Sequence, residues 1–240
     1  MIRLRSTALL LTGGLSLAAC SQPVAPAPAD PKAAVTASLA GLTAGNYAYM
    51  VATSDRQVTG TTDFPSASAA WYTTFTDPEP DVYYERVIGE DRYNRTTPEE
   101  DRWQHWDLSR MPEAGERHGL AITRPDRTGA TELLGMMDTA TVEGSTIRGT
   151  LAVTTITGSS IVLQPLQFRL KGRTTFTATL DGQGRLSRLV VDVPATTEPL
   201  GPAGTWTLDI TGYGTTPAPT RPTPTKEAPE DLYETETVGT

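Results

Sequence analysis

A period-two alternation of apolar and polar residues constrains the fold of this chain more than any other feature. Near the C-terminus, Trp206, Leu208 and Ile210 alternate with threonine and aspartate, and similar alternation recurs in several upstream segments. Successive side chains of a β-strand point to opposite faces, so each such segment carries one apolar face. Residues 181–184 contain two glycines, which supply the positive φ values that tight hairpin turns require. The sequence therefore predicts strands joined by short turns.

The strand-like segments fall into two groups separated by a polar stretch that contains proline. The predicted strands span residues 47–53, 57–64, 69–76, 82–88, 92–96, 146–155, 161–170, 174–180, 185–193 and 205–213. Apolar residues at helical spacing predict short helices over 33–42, after the capping pair Asp30-Pro31, and over 131–140. Residues 98–127 predict a loop with one helical turn. Runs of strands with few helices are typical of α+β proteins with an antiparallel sheet.

The N-terminal segment has the pattern of a bacterial lipoprotein signal. Arg3 and Arg5 precede an apolar run over residues 8–19, and Leu17-Ala18-Ala19-Cys20 matches the lipobox. The run is too short to span a bilayer, which takes about 20 apolar residues. We expect cleavage before Cys20, acylation of its thiol, and anchoring to the outer, extracytoplasmic face of the cell membrane. The alternative is a plain signal peptide with an incidental cysteine.

Composition divides the chain into four parts. Residues 1–19 are predicted as the signal peptide, and the proline-rich residues 20–30 as a disordered tether. Residues 31–214 hold all the predicted strands and form one domain, whereas 215–240 predict a disordered, Thr/Pro-rich acidic tail because they lack apolar surface. The net charge is −8, and removal of the two arginines in the signal makes it −10. This acidity argues against a nucleic-acid partner.

The sequence lacks the common catalytic motifs. It contains neither a glycine-rich phosphate loop nor a Gly-x-Ser-x-Gly elbow, and its two histidines are His105 and His118. His105, Asp107 and Ser109 can be written as a triad, but they lie too close together in a predicted loop to orient one another. With Cys20 acylated, no thiol remains for catalysis, disulfides or metal binding. We therefore predict no enzymatic activity, no cofactor and no metal.

An acidic cluster at a predicted turn is the remaining chemical feature. It consists of Asp77, Glu79, Asp81 and Glu85. Paired carboxylates can bind Ca²⁺ or act in acid/base catalysis. Two prolines stiffen this segment, however, and no glycine-turn ligand pattern follows it. We therefore interpret the cluster as the solvated end of a hairpin.

Several segments, taken in their order along the chain, resemble parts of a known family. They are residues 88–93 (IGEDRY), 106–108 (WDL), 144–151 (GSTIRGTL), 177–192 (TATLDGQGRLSRLVVD) and 204–214 (GTWTLDITGYG). Together with the lipobox, they resemble the actinobacterial LppX/LprG-type lipoproteins over residues 33–214. The resemblance implies a strongly curved antiparallel sheet, or half-barrel, with a few short helices on its concave side. It also implies that this side holds acyl chains and that the protein binds or moves lipids and lipoglycans.

Two hypotheses about function follow, and periodicity alone leaves both open. In the first, a membrane-anchored lipoprotein holds a lipid or lipoglycan in an apolar cavity between the sheet and a thin helical lid. The predicted lining residues are Tyr49, Trp71, Leu133, Leu134, Met136, Met137, Leu151, Phe176, Leu189 and Trp206. Methionine suits a lid that repacks around variable chains. In the second, the core is filled, and the acidic tail and the loop with Trp103 and Trp106 contact an envelope protein.

Overall fold

The computed structural model of the protein describes residues 30–76, 82–96, 101–111, 126–156, 162–196 and 202–235. Cys20, the signal peptide and the tether up to residue 29 lie outside the described residues, so the expectations about them stay predictions. The same holds for His118 and for the acidic residues at positions 77, 79 and 81.

Strands dominate the described part of the chain and pair into one open sheet. They are β1 (Asn46–Ala52), β2 (Arg56–Asp63), β3 (Ser68–Phe75), β4 (Val82–Ile88), β5 (Asp91–Arg95), β6 (Trp103–Asp107), β7 (Met137–Glu143), β8 (Thr146–Val153), β9 (Gly172–Leu180), β10 (Leu186–Val193), β11 (Gly204–Thr211) and β12 (Thr225–Glu227). The helices are short: α1 (Pro31–Ser38), α2 (Gly41–Ala44), α3 (Ala130–Gly135), α4 (Gln164–Gln167) and α5 (Glu230–Thr235). No helix in the described ranges is long and apolar enough to cross a membrane.

The sheet has the order β12-β6-β5-β4-β3-β2-β1-β11-β10-β9-β8-β7. Strand β1 lies in the middle of the sheet. On one side it pairs with β2, and β3 to β6 follow outward in chain order. On the other side it pairs with β11, and β10, β9, β8 and β7 follow outward in reverse chain order. The pairing of β12 with β6 is parallel, so the sheet is mixed and the expectation of a purely antiparallel sheet is wrong. The parallel pair arises because the chain leaves β11 and passes β4, where Arg86 donates to the carbonyl of Thr220 at 2.7 Å, before it reaches β6.

Two predicted elements are wrong in kind. Residues 103–107, predicted as loop, form β6, because β5 and β12 supply pairing partners on both sides. Residues 161–170, predicted as a strand, contain α4 instead. Pro165 lies in the first turn of that helix, where its missing N–H costs nothing, whereas it would interrupt a central strand. Leu166 and Leu170 are both buried, at helical spacing.

The two predicted helices have different outcomes. The first is confirmed as α1 and α2, and the side chain of Asp30 caps it by accepting a hydrogen bond from the backbone N–H of Lys32 at 2.9 Å. The second, predicted over 131–140, ends at Gly135, and Met137 begins β7. Glycine is a poor helix former, and the β-branched residues that follow favour a strand.

The sequence predicts a disordered C-terminal tail, but residues 215–235 form part of the fold. This segment contains β12 and α5, and Ala228 and Tyr233 are buried in the hydrophobic cluster of the domain. The tail lacks the apolar surface to fold alone, but the edge of β6 offers it backbone pairing and an apolar contact. The folded unit therefore extends past the predicted domain boundary at residue 214.

One face of the sheet, here called the core face, carries most of the buried apolar side chains and packs against α1, α3 and α4. Two cross-strand pairs on it join a glycine to an aromatic ring. Tyr49 pairs with Gly60, and a Cβ on that glycine would lie 2.4 Å from the tyrosine ring. Phe176 pairs with Gly149, where a Cβ would lie 1.9 Å from the backbone oxygen of Thr139. Both glycines therefore permit close packing that any side chain would prevent.

Candidate functional site

The ten residues predicted to line a ligand site all belong to one hydrophobic cluster on the core face or pack against it. They come from β1, β3, β8, β9, β10, β11, α3 and the start of β7, and Met136 lies between α3 and β7. Eight of them are buried, while Met136 and Met137 are half-buried at the margin of the cluster. The fold thus brings the predicted residues together, and their binding of a ligand stays a prediction.

The core face divides into two regions. The apolar half is the core face of β1 and β8–β11, where the inward side chains are aliphatic or aromatic. The polar half is the core face of β3–β6, where Glu85, Arg92, Asn94 and Gln104 take positions between the aromatic rings. The two halves meet near Trp71.

Residues of α1 and α2 pack against the core cluster, and two further segments cover the apolar half. We call these two segments the lid: residues 126–136, which contain α3, and residues 162–170, which contain α4. The indole Nε1 of Trp206, on β11, donates to the carbonyl of Val162 at 2.9 Å and holds the second segment to the sheet. Leu163 packs on Gly129 so closely that a Cβ there would lie 2.5 Å from the leucine side chain. Gly129 also has a φ of 73°, a backbone conformation that other residues rarely adopt. Both the close contact and the backbone conformation therefore favour glycine at this position.

The first lid segment is held by the carboxylate of Asp126. One oxygen accepts hydrogen bonds from the backbone N–H and the hydroxyl of Thr128, at 2.8 and 2.6 Å. The other accepts from the backbone N–H of Thr131 at 2.7 Å, which satisfies a donor in the first turn of α3. A carboxylate near a helix N-terminus also interacts favourably with the helix dipole. This turn therefore fixes how α3 presents its leucines to the sheet.

The apolar half is closed in this structure. Leu133 of the lid and Leu151, Leu189 and Trp206 of the sheet are each 0% exposed. A cavity wide enough to admit water would leave accessible surface on the side chains that line it. These four side chains therefore border no space that is wide enough for water in this structure.

Paired polar groups characterise the other half. Arg92 donates from Nε and Nη2 to the two carboxylate oxygens of Glu85 at 3.2 and 3.1 Å, a bidentate pair that is largely removed from solvent. The Arg92 guanidinium also lies 5.7 Å from the ring centroid of Trp106. The indole Nε1 of Trp106 donates to Asn94 at 2.9 Å. These buried polar groups therefore satisfy one another.

Arg127 lies where the two halves meet. Its side chain is nearly buried, and its guanidinium carbon is 5.3 Å from the ring centroid of Trp71, within cation–π range. Burial raises the pKa of the Tyr49 hydroxyl far above its usual value, and the charge of Arg127 partly opposes that rise. Tyr49 therefore stays protonated at neutral pH, and the junction carries the positive charge of the arginine.

His105 does not take part in a catalytic triad with Asp107 and Ser109. Its Nδ1 faces Glu227 at 2.8 Å and its Nε2 faces Asp91 at 2.8 Å, so neither nitrogen is directed at Ser109. Asp107 instead accepts from the backbone N–H of Ser109 at 2.9 Å and from its hydroxyl, as a cap of the 3-10 turn Leu108–Arg110. The three residues form no nucleophile–base pair.

The sequence reasoning missed the residues that contact the tail. The sequence predicts His105 in a loop and gives no signal at Arg110, yet both bind tail carboxylates. Thr225-Lys226-Glu227 has no apolar alternation, and all three residues are exposed, so periodicity gives no signal for a strand there. Nothing local to that segment indicates that its partner lies more than a hundred positions upstream.

Within the described ranges, no group of three or more histidine, cysteine, aspartate or glutamate side chains is arranged to hold a metal ion. No family model matches the sequence. No curated protein matches it either. The residues and their geometry therefore carry the functional argument.

Proposed function

We propose that this protein is an exported lipoprotein, anchored by acylated Cys20, that binds a lipid or lipoglycan by its acyl chains between the core face and the lid. The observation that supports this best is the form of the cover. A continuous apolar surface spanning five neighbouring strands is covered only by short helices, the two lid helices of six and four residues together with α1 and α2. In this proposal the open sheet is a half-barrel, and the lid lies on its concave side.

Burial of acyl chains would supply the free energy of binding, and no bond would be made or broken. Each buried methylene contributes about 0.8 kcal/mol, so a chain of ordinary length offsets the loss of many lid contacts. Opening would break the hydrogen bond from Trp206 to Val162 and separate Leu163 from Gly129. Met136 and Met137 stand at the margin of the lid, where flexible side chains can repack around an entering chain.

The junction between the halves offers a place for an anionic headgroup. Arg127 brings a positive charge to the border of the apolar half, beside the ring of Trp71. A phosphate or carboxylate there would leave its acyl chains directed into the apolar half. Arginine is well suited to such anions because its guanidinium donates in a fork.

Native mass spectrometry of residues 20–240 carrying Cys20→Ala, incubated with envelope lipids, tests the proposal. A bound mass that organic solvent releases would support it. An apo mass alone, from protein that remains folded, would contradict it. A chain that ends at the predicted domain boundary, residue 214, is too short for this test, because Ala228 and Tyr233 belong to the core cluster.

Two variants sharpen the result. Trp206→Phe keeps most of the ring but removes the N–H that binds Val162, so it should speed lipid loading about threefold to tenfold if lid opening limits loading. Tyr72→Ala on the opposite face of the sheet is the matched control, because Tyr72 is exposed and contacts Tyr84 rather than the lid. Its loading rate should equal that of the parent protein.

The closed apolar half favours a second candidate function, an interaction or regulatory module of the cell envelope. Side chains that are 0% exposed on both lid and sheet are what a filled core requires. In that case the protein would stay lipid-free in the mass spectrometry experiment, and Trp206→Phe would change stability without creating any lipid uptake.

Anchoring is tested separately from lipid binding. Cys20→Ala should move the protein from the membrane fraction to the soluble fraction and leave the domain folded, because residue 20 precedes the folded unit. Retention of the variant in membranes after an alkaline carbonate wash would show that acylation of Cys20 is not the anchor.

A further inference from the structure

The C-terminal segment 215–235, which we call the strap, binds both faces of the edge strand β6. It passes β4 and β5, where Arg221 forms an ion pair with Asp91. It then runs beside β6 as β12 and continues into α5, whose Tyr233 packs on Trp106 from the core side. A segment that reaches both faces of one strand resembles a bound peptide in its contacts.

Backbone pairing gives the strap its register on β6. The N–H of Trp103 donates to the carbonyl of Pro224 at 3.0 Å, and the N–H of Ala228 donates to the carbonyl of His105 at 2.8 Å. The three residues of β12 between these bonds are all exposed. The addition of one short strand to an open sheet edge is the usual geometry of β-augmentation.

Two basic side chains of the domain bind carboxylates of the strap. His105 Nδ1 faces both oxygens of Glu227 at 2.8 and 2.9 Å. Arg110, in the 3-10 turn after β6, forms an ion pair with Glu230. Both glutamates are 73% exposed, so they contribute little to the core and act mainly through these two contacts.

Tyr233 of the strap also contacts the domain, through its ring and through a hydrogen bond. The hydroxyl of Tyr233 accepts a hydrogen bond from the backbone N–H of Asp107 at 2.9 Å. Its ring lies 5.6 Å from that of Trp106 and 4.0 Å from the guanidinium of Arg110. Glu227, Glu230 and Tyr233 therefore lie three residues apart and face a shared set of receptor groups on or beside β6. His105 contacts Glu227, while Arg110 contacts both Glu230 and Tyr233.

We propose that the edge of β6 is a peptide-binding site for an acidic segment of the pattern Glu-x-x-Glu-x-x-Tyr, which adds a short strand to β6 and continues into a helical turn, and that the strap fills this site in cis. The partner would be a protein segment of the same chemistry, which displaces the strap. Charge complementarity with His105 and Arg110 and the pocket beside Trp106 identify that chemistry. This inference is independent of lipid binding and remains testable if the lid never opens.

The covalent link sets how tightly a free peptide can bind. A tethered ligand competes at an effective concentration of about 1 mM or more when its linker is short. A free peptide would therefore bind the intact protein weakly, and weakening the strap should expose the site. Tyr233→Ala removes one of the three side-chain contacts without altering the receptor residues.

The test uses a fluorescently labelled synthetic peptide of residues 221–235 and the mature chain, with fluorescence anisotropy as the readout. The peptide should bind Tyr233→Ala protein at least about tenfold more tightly than the parent protein. A control peptide with Glu227→Gln and Glu230→Gln should bind about tenfold more weakly than the acidic peptide, since it loses two charge-assisted hydrogen bonds. Arg110→Ala in the protein should reduce the difference between the two peptides.

Two results would overturn the proposal. One is equal binding of the acidic and neutral peptides, and the other is the absence of saturable binding to Tyr233→Ala protein whose near-UV circular dichroism matches the parent. If Tyr233→Ala does not fold, the same titration uses a chain with Glu227→Gln and Glu230→Gln. Those side chains are mostly exposed, so their replacement weakens the strap and leaves the core intact.

Discussion

The two halves of the core face show how one sheet can be held together in two ways. In the apolar half, Leu189 and Trp206 are 0% exposed, and burial of hydrocarbon is the main stabilising term. In the polar half, Glu85 and Arg92 face the same side of the same sheet, but as a bidentate ion pair beside the indole of Trp106. Stability there depends on groups that satisfy each other, so loss of one partner costs more than loss of both.

The segments that cover the two halves differ as the halves themselves do, one being apolar and the other charged. The lid over the apolar half comes from the middle of the chain and contributes leucines, including Leu133 and Leu134. The cover that the strap provides at the far edge contributes one tyrosine and several charges, and it is bound through hydrogen bonds and ion pairs. An apolar cover can open for an apolar ligand, whereas a charged cover can be displaced by a charged one.

The largest effect should come from the apolar half. Trp206→Ala removes a fully buried indole that also binds the lid, so we expect the free energy of unfolding to fall by about 3–5 kcal/mol. Chemical denaturation followed by circular dichroism measures this. A loss below about 1 kcal/mol would mean that the apolar half already contains a space into which its neighbours collapse, and that it is not a closed core.

A smaller effect is expected in the polar half, and it should depend on the partner. Arg92→Met leaves the carboxylate of Glu85 unpaired and should cost about 1–3 kcal/mol. Adding Glu85→Gln should recover part of that loss, because the second substitution removes the buried charge. A double-mutant cycle in denaturant measures the coupling. Additive losses would show that the pair is not a unit and would remove the distinction between the halves.

The apolar half was predictable because its strands follow a simple rule. Trp206, Leu208 and Ile210 alternate with polar residues, and Phe176 and Leu189 lie in neighbouring strands with the same period. In such a strand the polarity of each side chain indicates which face it lies on, so the strand can be predicted without knowing its partner strand. The six site residues that lie in the predicted strands fall in the cluster for this reason.

The polar half and the strap could not be predicted in the same way. Glu85, Arg92 and Asn94 face the core but are polar, so periodicity marks them as solvent-facing. Strand β12 has three exposed residues, and its order depends on His105 and on the edge of β6. Local patterns cannot supply a partner that lies far away in sequence, and the tail therefore read as disordered.

The strap should weaken as pH rises. Burial acts to lower the pKa of His105, but its hydrogen bonds to Asp91 and Glu227 outweigh burial and raise that pKa above its usual value of 6.5. The other groups near the imidazole are Tyr93, stacked on it, Arg221, paired with Asp91, and Asp107. A raised pKa means that the stabilisation is complete below about pH 6.5 and is lost as the pH rises through the folded-state value.

Hydrogen exchange of residues 225–235 at a series of pH values, corrected for the intrinsic exchange rate, measures this weakening. Protection in the parent protein should fall over the pH interval above about 6.5, as the pH rises through the raised folded-state pKa of His105, because the imidazole then loses the proton it shares with one of the carboxylates. His105→Gln should show lower protection that does not change over this interval. Equal profiles for the two proteins would mean that backbone pairing alone holds the strap.

The smallest change in the free energy of unfolding should come from the outer face, and it serves as the reference for the changes in both halves of the core face. Arg148 and Glu143 form an ion pair at 2.9 Å across the β7–β8 hairpin, with 59% and 73% of their side chains exposed. Solvent screens such a pair, so Arg148→Ala should change the free energy of unfolding by less than about 0.5 kcal/mol. Denaturation at low and at high salt measures it, and the small difference should shrink further in salt. A loss as large as that of Arg92→Met would show that an ion pair of this sheet contributes equally on either face, and that burial is not what distinguishes the polar half.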